Sequence, residues 1–189
     1  AGLAHMHYSQ VCHRDLKPAN FIITDEGNTL RLTDFGLAVM ALGEQKLLHS
    51  CGSLPFAAPE VLRIQSERSA APSYSGFAAD VWSLAVNFVE LMYGLYSMDR
   101  LLGWVPKPPA DGRQRLSDIQ RFEDIWRHVP EMSVPSMHRV VDNMLRLRPE
   151  ERWTIGHVIG DEGLGIAPTH RCTVPKCPHT LKLKNVRAR

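Results

Sequence analysis

The amino-acid composition lacks the features that would by themselves indicate a cellular compartment or a binding partner. Its four cysteines are scattered through 189 residues, unlike the dense disulfide framework of a small secreted domain. Acidic and basic residues nearly balance at a net charge of +2, so charge points to no polyanionic partner. The longest apolar stretch is interrupted by Asn87, Glu90 and Gly94, which argues against a membrane span. We therefore expect an intracellular, cytoplasmic protein with neither a membrane nor a nucleic acid among its partners.

The chain divides by charge into a long first part and a short basic end. An apolar content of 44% over this length suits one domain with a buried core. Beyond residue 170 there are six basic residues and no acidic one: Arg171, Lys176, Lys182, Lys184, Arg187 and Arg189. We expect a folded domain over residues 1–165 and a basic tail over residues 166–189.

Three short polar motifs lie in the first third of the chain. Residues 13–20 read HRDLKPAN, residues 34–36 read DFG and residues 58–60 read APE. Asp34 and Asn20 offer the hard oxygen ligands that suit Mg²⁺. Asp15 offers a carboxylate that can take a proton, and Lys17 a compact cation suited to phosphate. Phosphoryl transfer needs these groups, since it depends on positioning and on neutralising charge.

In this order and spacing, the three motifs resemble the catalytic lobe of a eukaryotic-type protein kinase. The resemblance implies that Asp15 is the catalytic base and that Lys17 contacts the γ-phosphate of ATP. It also implies that Asn20 and Asp34 hold Mg²⁺. The presence of Lys17, and of Gly52 followed by Ser53, resembles the serine/threonine branch of the family. In that branch, the resemblance implies, Ser53 would tie Asp15 to Lys17.

The same resemblance implies further roles around this centre. Ile22 lies where kinases place an apolar side chain under the adenine ring, although it is equally suited to a protein core. By this resemblance, residues 13–20 form the catalytic loop, residues 34–36 the metal-binding loop and residues 34–60 the activation segment. The expected supporting residues hold the two loops and the end of the activation segment in place: His13, Arg14, Phe35, Gly36, Glu60, Asp80 and Arg152. Asp80 would accept main-chain N–H bonds from the catalytic loop, Gly36 would let the metal-binding loop turn, and Glu60 would form a buried ion pair with Arg152.

The activation segment departs from the pattern that it resembles. Residues 50–60 look closest to the calmodulin-dependent and AMP-activated kinase group. The activating phosphothreonine of that group falls at His49, so Arg14 lacks its usual phosphate partner. Ser50 is the nearest hydroxyl and is therefore a candidate phosphosite. Two alternatives stay open: activation uses Ser50, or it needs no phosphorylation.

The resemblance covers the large lobe alone. No glycine-rich phosphate loop occurs, and neither the strand lysine of kinases nor its glutamate partner is present. Residues 1–8 look like the end of a helix, so we expect the small lobe (the N-lobe) to lie upstream in the same parent chain. The expected fold is mainly α with a short β-hairpin region.

Two functions remain open at this point. The first is a serine/threonine protein kinase that uses ATP and Mg²⁺ on a protein substrate, with little activity in this chain alone. The alternative is a catalytically inactive kinase lobe that serves as a binding or scaffold module.

Local patterns place several elements. Residues 21–23 and 30–32 are typical of two short strands around a turn at residues 25–28. Residues 74–84 are expected to begin a central buried helix. The sequence SDIQ at residues 117–120 predicts a capping box, and therefore a helix that begins at Ser117.

Overall fold

The computed structural model describes residues 1–24, 29–66 and 73–164. The predicted basic tail, the turn at residues 25–28 and the polar segment at residues 67–72 lie outside the described residues. The predicted fold class is confirmed, because helices dominate and the strands form two small sheets. The helices are α1 (Gly2–Tyr8), α2 (Pro59–Ser66), α3 (Gly76–Tyr93), α4 (Ser97–Leu102), α5 (Gly112–Gln120), α6 (Phe122–Trp126), α7 (Pro135–Met144) and α8 (Ile155–Gly160).

Both sheets are antiparallel pairs. The strands are β1 (Val11–Cys12), β2 (Phe21–Thr24), β3 (Thr29–Leu32) and β4 (Val39–Met40). Strand β1 pairs with β4, and β2 pairs with β3 in the hairpin that the sequence predicts. The loop between β1 and β2 carries the HRDLKPAN motif and the loop between β3 and β4 carries the DFG motif, whereas the APE motif lies at the start of α2.

Helix α3 is the centre of the domain. Most of its side chains are apolar and buried, as expected for a helix in the core of a domain, and Trp82 and Val86 are completely inaccessible. The Ser75 side chain accepts a hydrogen bond from the Ala78 amide and caps the first turn. Helices α4 and α7 and strand β1 pack around α3. The loops of the polar motifs therefore rest on a rigid support.

The start of helix α5 corrects one prediction. The helix begins at Gly112, with Asp111 as its N-cap, and the Asp111 carboxylate accepts from the Arg113 amide at 2.9 Å. Ser117 therefore lies inside the helix, and the predicted capping box is wrong. An ionised aspartate at the cap satisfies a free amide and complements the helix dipole. The earlier start also adds an apolar contact, because Leu116 is buried.

The β2–β3 hairpin carries apolar side chains on both faces. Ile23 and Leu30 are cross-strand partners on one face and are 69% and 63% exposed. Ile22 lies on the other face and is 49% exposed. Within the described ranges, no helix is both long and apolar enough to cross a bilayer.

Candidate active site

The loop between β1 and β2 brings a carboxylate, an ammonium group and a hydroxyl together. Asp15 is 8% exposed. The Lys17 ammonium donates to Asp15 Oδ2 and to Ser53 Oγ, both at 2.8 Å. The other carboxylate oxygen, Asp15 Oδ1, is buried and has no hydrogen-bond partner among the residues that the structure describes. A buried acceptor of this kind costs stability unless a ligand satisfies it.

The surroundings of Asp15 favour its ionised form. Burial alone would raise the pKa of this carboxyl group. Hydrogen bonds from Lys17, Ser53 and Asn20, together with the Lys17 charge, outweigh burial and lower the pKa below its ordinary value. Asp15 therefore stays a carboxylate at neutral pH and can accept a hydrogen bond from a hydroxyl group.

Asn20 links the catalytic loop to the metal-binding motif. It ends a short 3₁₀ helix (Pro18–Asn20), and its Nδ2 donates to the Asp15 main-chain oxygen at 2.8 Å. The Asn20 main-chain oxygen accepts from the amide and the hydroxyl of Thr33, at 2.9 and 3.2 Å. Since Thr33 precedes Asp34, these bonds fix the position of both proposed metal ligands.

The residue of the DFG motif with a left-handed conformation is Asp34, not Gly36. Asp34 has φ 59° in the left-handed region, whereas Gly36 is not among the residues with positive φ. The Asp34 carboxylate accepts from the Gly36 amide at 3.4 Å, which helps aspartate to tolerate this conformation. The glycine provides space instead, because an added Cβ would lie 3.3 Å from Asp34 Oδ1.

His13 and Phe35, two of the expected supporting residues, are in ring contact. Their ring centroids are 5.4 Å apart and the rings are tilted by 60°. His13 is fully buried, and its Nε2 lies 2.9 Å from the Thr33 main-chain oxygen. Since a carbonyl only accepts, Nε2 carries the proton, and Nδ1 is free to accept from the Asp15 amide at 3.3 Å. Phe35 is 53% exposed, so its outer face has no cover among the described residues.

Asp80 of α3 holds the first half of the catalytic loop. Its carboxylate accepts the amides of His13 and Arg14, both at 2.7 Å. The ring of His7 adds a third contact at 3.0 Å. Asp80 is completely buried, so these bonds form away from water and fix the loop strongly.

Arg14 binds main-chain oxygens of the activation segment. Its Nε donates to Leu37 O at 2.7 Å, and one terminal nitrogen lies 3.4 Å from His49 O. The Tyr74 hydroxyl donates to the same His49 oxygen at 3.2 Å. The main chains of Leu47 and Tyr74 exchange two further bonds of 2.8 and 3.0 Å. The segment is thus tied to the start of α3 on both sides of residue 48.

Glu60 and Arg152 form a bidentate ion pair, with N···O distances of 2.8 and 3.2 Å. The Arg152 side chain is inaccessible to solvent, and its guanidinium carbon lies 5.2 Å from the ring centroid of Trp82. The remaining N–H groups donate to Ala78 O and Arg146 O. The pair joins the end of the activation segment to the turn before α8.

Sequence reasoning missed three polar residues of α3 that support these loops. The Ser83 hydroxyl donates to Phe56 O at 2.8 Å, and Asn87 Nδ2 donates to Leu16 O at 3.2 Å. Glu90 accepts from the amides of Tyr96 and Met98. The available signal was their spacing, since they follow Asp80 on the same face of an otherwise apolar helix.

The donor set fits a phosphorylated nucleotide and a hard cation. Asn20 and Asp34 are expected to hold Mg²⁺ through oxygen atoms, and Lys17 is expected to face a phosphate group. Ile22 presents an exposed apolar side chain on the hairpin next to Asn20, which suits contact with a flat base. The described residues contain no cluster of three or more histidine, cysteine, aspartate or glutamate side chains that could form a separate metal centre.

Comparison with known proteins agrees with this chemistry. Residues 1–162 match the family model described as protein kinase domain. Serine/threonine-protein kinase chk1 of Schizosaccharomyces pombe is 30% identical over 161 residues, covering 84% of this chain and 29% of that protein. Serine/threonine-protein kinase chk-1 of Caenorhabditis elegans is 28% identical over 170 residues, covering 85% and 29%. Maternal embryonic leucine zipper kinase of Xenopus laevis is 30% identical over 161 residues, covering 84% and 22%. The chain spans less than a third of the length of each of these relatives.

Proposed function

The chain belongs to the protein kinase family, and from this premise we propose that it transfers the γ-phosphate of ATP to a serine or threonine hydroxyl of a protein substrate. In this proposal a small lobe from the same parent chain completes the nucleotide site. Residues 50–60 support a place near the calmodulin-dependent and AMP-activated kinase group.

The observation that carries the proposal is the unpaired oxygen of Asp15. Oδ2 is occupied by Lys17 at 2.8 Å, while the buried Oδ1 has no described partner. A substrate hydroxyl that donates to Oδ1 would satisfy this acceptor and would be oriented for attack. The lowered pKa of Asp15 keeps the group ionised, so that its carboxylate can accept a hydrogen bond from the hydroxyl and orient it.

The other residues position the phosphate and the acceptor. Bound ATP and Mg²⁺ supply the phosphoryl group and neutralise its charge. Lys17 is held between Asp15 and Ser53 and presents its ammonium group to the phosphate. The bond from Lys17 to Ser53 joins the catalytic loop to the activation segment, so a substrate bound along that segment would be aligned with Asp15.

The requirement for a small lobe rests on exposed apolar surface. Ile22 and Phe35, on the nucleotide side of the site, are 49% and 53% exposed. A second lobe that packed over them would bury this surface and enclose the base. The same exposed surface favours the alternative function, in which the lobe binds another protein and catalyses nothing.

A substitution at Asp15 distinguishes the two functions. In the full-length protein, Asp15→Asn should abolish transfer of radiolabelled phosphate from ATP to a serine- or threonine-containing peptide. The matched control is Asp124→Asn, because the Asp124 side chain is 78% exposed. Full transfer by Asp15→Asn would contradict the kinase assignment, and absence of transfer by the unmodified protein would favour the binding module. The isolated chain of 189 residues should show negligible transfer.

The contacts of Arg14 favour activation without phosphorylation. Its guanidinium already binds two main-chain oxygens of the activation segment, from Leu37 and His49, and the Tyr74 hydroxyl reinforces the second. Ser50 is the alternative phosphosite. A phosphatase-treated Ser50→Ala protein should keep its activity if main-chain contacts suffice. Loss of activity in that variant, with recovery in Ser50→Asp, would instead assign the activating phosphate to Ser50.

A further inference from the structure

Helix α3 carries one polar stripe along an otherwise apolar surface. Its members are Asp80, Ser83, Asn87 and Glu90, whose spacing of three, four and three residues places them on one face. Each member bonds the main chain of a different loop segment. Asp80 binds the first half of the catalytic loop, Ser83 the activation segment, and Glu90 both the turn before α4 and the first turn of that helix.

Asn87 bonds the second half of the catalytic loop. Its Nδ2 donates to Leu16 O at 3.2 Å and to Ser83 O at 2.7 Å. Both neighbours are carbonyl oxygens, which can only accept, so the amide nitrogen must face them. The Leu16 carbonyl belongs to the peptide unit that joins Leu16 to Lys17. Asn87 therefore binds the main chain at Leu16, between the side chains of Asp15 and Lys17.

The amide oxygen of Asn87 has no comparable partner. Oδ1 is buried and lacks a hydrogen bond in the part of the chain that the structure describes. Such an acceptor costs stability, and an apolar side chain of similar volume would avoid that cost. Asn87 is therefore poorly explained as a residue that only stabilises the helix, whereas its bond to the catalytic loop explains the amide.

We propose that Asn87 is a positioning residue for phosphoryl transfer, because it fixes the main chain between Asp15 and Lys17. This inference rests on the proposed kinase function. Asp80 fixes the loop at residues 13 and 14, and Asn87, two helical turns further along the same face, fixes it at residue 16. With both points held, the Asp15 carboxylate and the Lys17 ammonium keep the 2.8 Å contact that aligns acceptor and phosphate.

The test uses Asn87→Leu in the full-length protein. Leucine is close in volume and removes both the donor and the unpaired oxygen. We expect kcat to fall about tenfold, because small displacements of catalytic groups are costly. The KM values for ATP and peptide should stay within about twofold. The thermal midpoint should fall only slightly, because the bond lost to Leu16 O is offset by removal of the unpaired Asn87 oxygen. The matched control is Asn143→Leu, which removes a similar bond, from Asn143 Nδ2 to Arg139 O, in α7.

A second variant gives a pH-dependent readout. In Asn87→Asp, a carboxylate would repel the Leu16 carbonyl, whereas the protonated acid could donate to it. Burial beside two carbonyl oxygens is expected to raise the pKa of the new acid. Activity relative to the unmodified protein should therefore be lowest at pH 8 and should recover several-fold towards pH 6. A flat activity ratio would count against a hydrogen bond from residue 87 to Leu16.

Amide hydrogen exchange tests the geometry without catalysis. Residues 15–17 should exchange at least about tenfold faster in Asn87→Leu than in the unmodified protein, with no such change in Asn143→Leu. Unchanged kcat and exchange in Asn87→Leu would overturn the inference, as would a loss of kcat matched by an equal loss of thermal stability. If the unmodified protein transfers no phosphate, the proposed function fails, while exchange at residues 15–17 still decides whether Asn87 fixes the loop.

Discussion

Replacing Arg152 by methionine would remove the positive charge from a buried ion pair and keep most of the side-chain volume. The Arg152 side chain is inaccessible and that of Glu60 is only 9% exposed. The substitution leaves the Glu60 carboxylate buried without its partner and deprives the main-chain oxygens of Ala78 and Arg146 of donors. Breaking one side of such a pair costs about 3–5 kcal/mol. That is a large fraction of the 5–15 kcal/mol that typically stabilises a domain.

The measurement is urea unfolding of the full-length protein, followed by tryptophan fluorescence, since Trp82 lies under the guanidinium group. The control is Arg127→Met, which breaks an exposed pair with Asp124 and should change the free energy of unfolding little. The double variant Glu60→Gln with Arg152→Met should lose less than the sum of its two single variants, because no unpaired charge remains. A loss below about 1 kcal/mol in Arg152→Met would refute the reasoning.

Two further predictions concern a glycine and a buried carboxylate. Gly52→Ala should reduce activity and should lower the free energy of unfolding by about 1–3 kcal/mol. The reason is that Gly52 has φ +113° and that an added Cβ would lie 2.9 Å from Arg14 O. An unchanged thermal midpoint and an unchanged kcat would contradict this prediction. Burial alone would raise the pKa of Asp118, but bonds from Trp104, Gln114 and Arg121 outweigh burial and lower it. The unmodified protein should therefore have a higher free energy of unfolding than Asp118→Asn, and this difference should be full at pH 7. The difference should shrink below about pH 4 as the carboxylate is protonated, and it should disappear only at still lower pH. A difference that grows in acid would refute the assignment.

Local sequence signals predicted some elements well and others poorly. The short apolar runs at 21–23 and 30–32, on either side of a turn sequence, correctly predicted the hairpin, because a strand pair depends mostly on short-range pattern. The capping box at Ser117 failed because Asp111, six residues earlier, offers a charged cap and lets Leu116 join the core. A single pattern cannot rank two competing starts whose difference lies in tertiary burial.

The residues of the candidate site show a similar division. The motif order pointed to Asp15, Lys17 and Ser53, and the structure brings these three side chains together. The left-handed conformation of Asp34 was missed because glycine is the usual residue for such a turn. Asn87 was seen only as an interruption of an apolar stretch, since its partner Leu16 lies 71 residues away. Contacts of that range become visible only after the helix and the loop have been placed.

The ion pair between Glu60 and Arg152 also has a consequence for synthesis on the ribosome. Its partners are 92 residues apart, so at 5–20 residues per second Glu60 is made about 5 to 20 s before Arg152. During that interval the carboxylate has no arginine to bind and the end of the activation segment cannot close against the last helices. A chain that stops before residue 152 never forms the pair, which makes it a substrate for chaperones or proteases. The pair thus links stable folding to translation past residue 152.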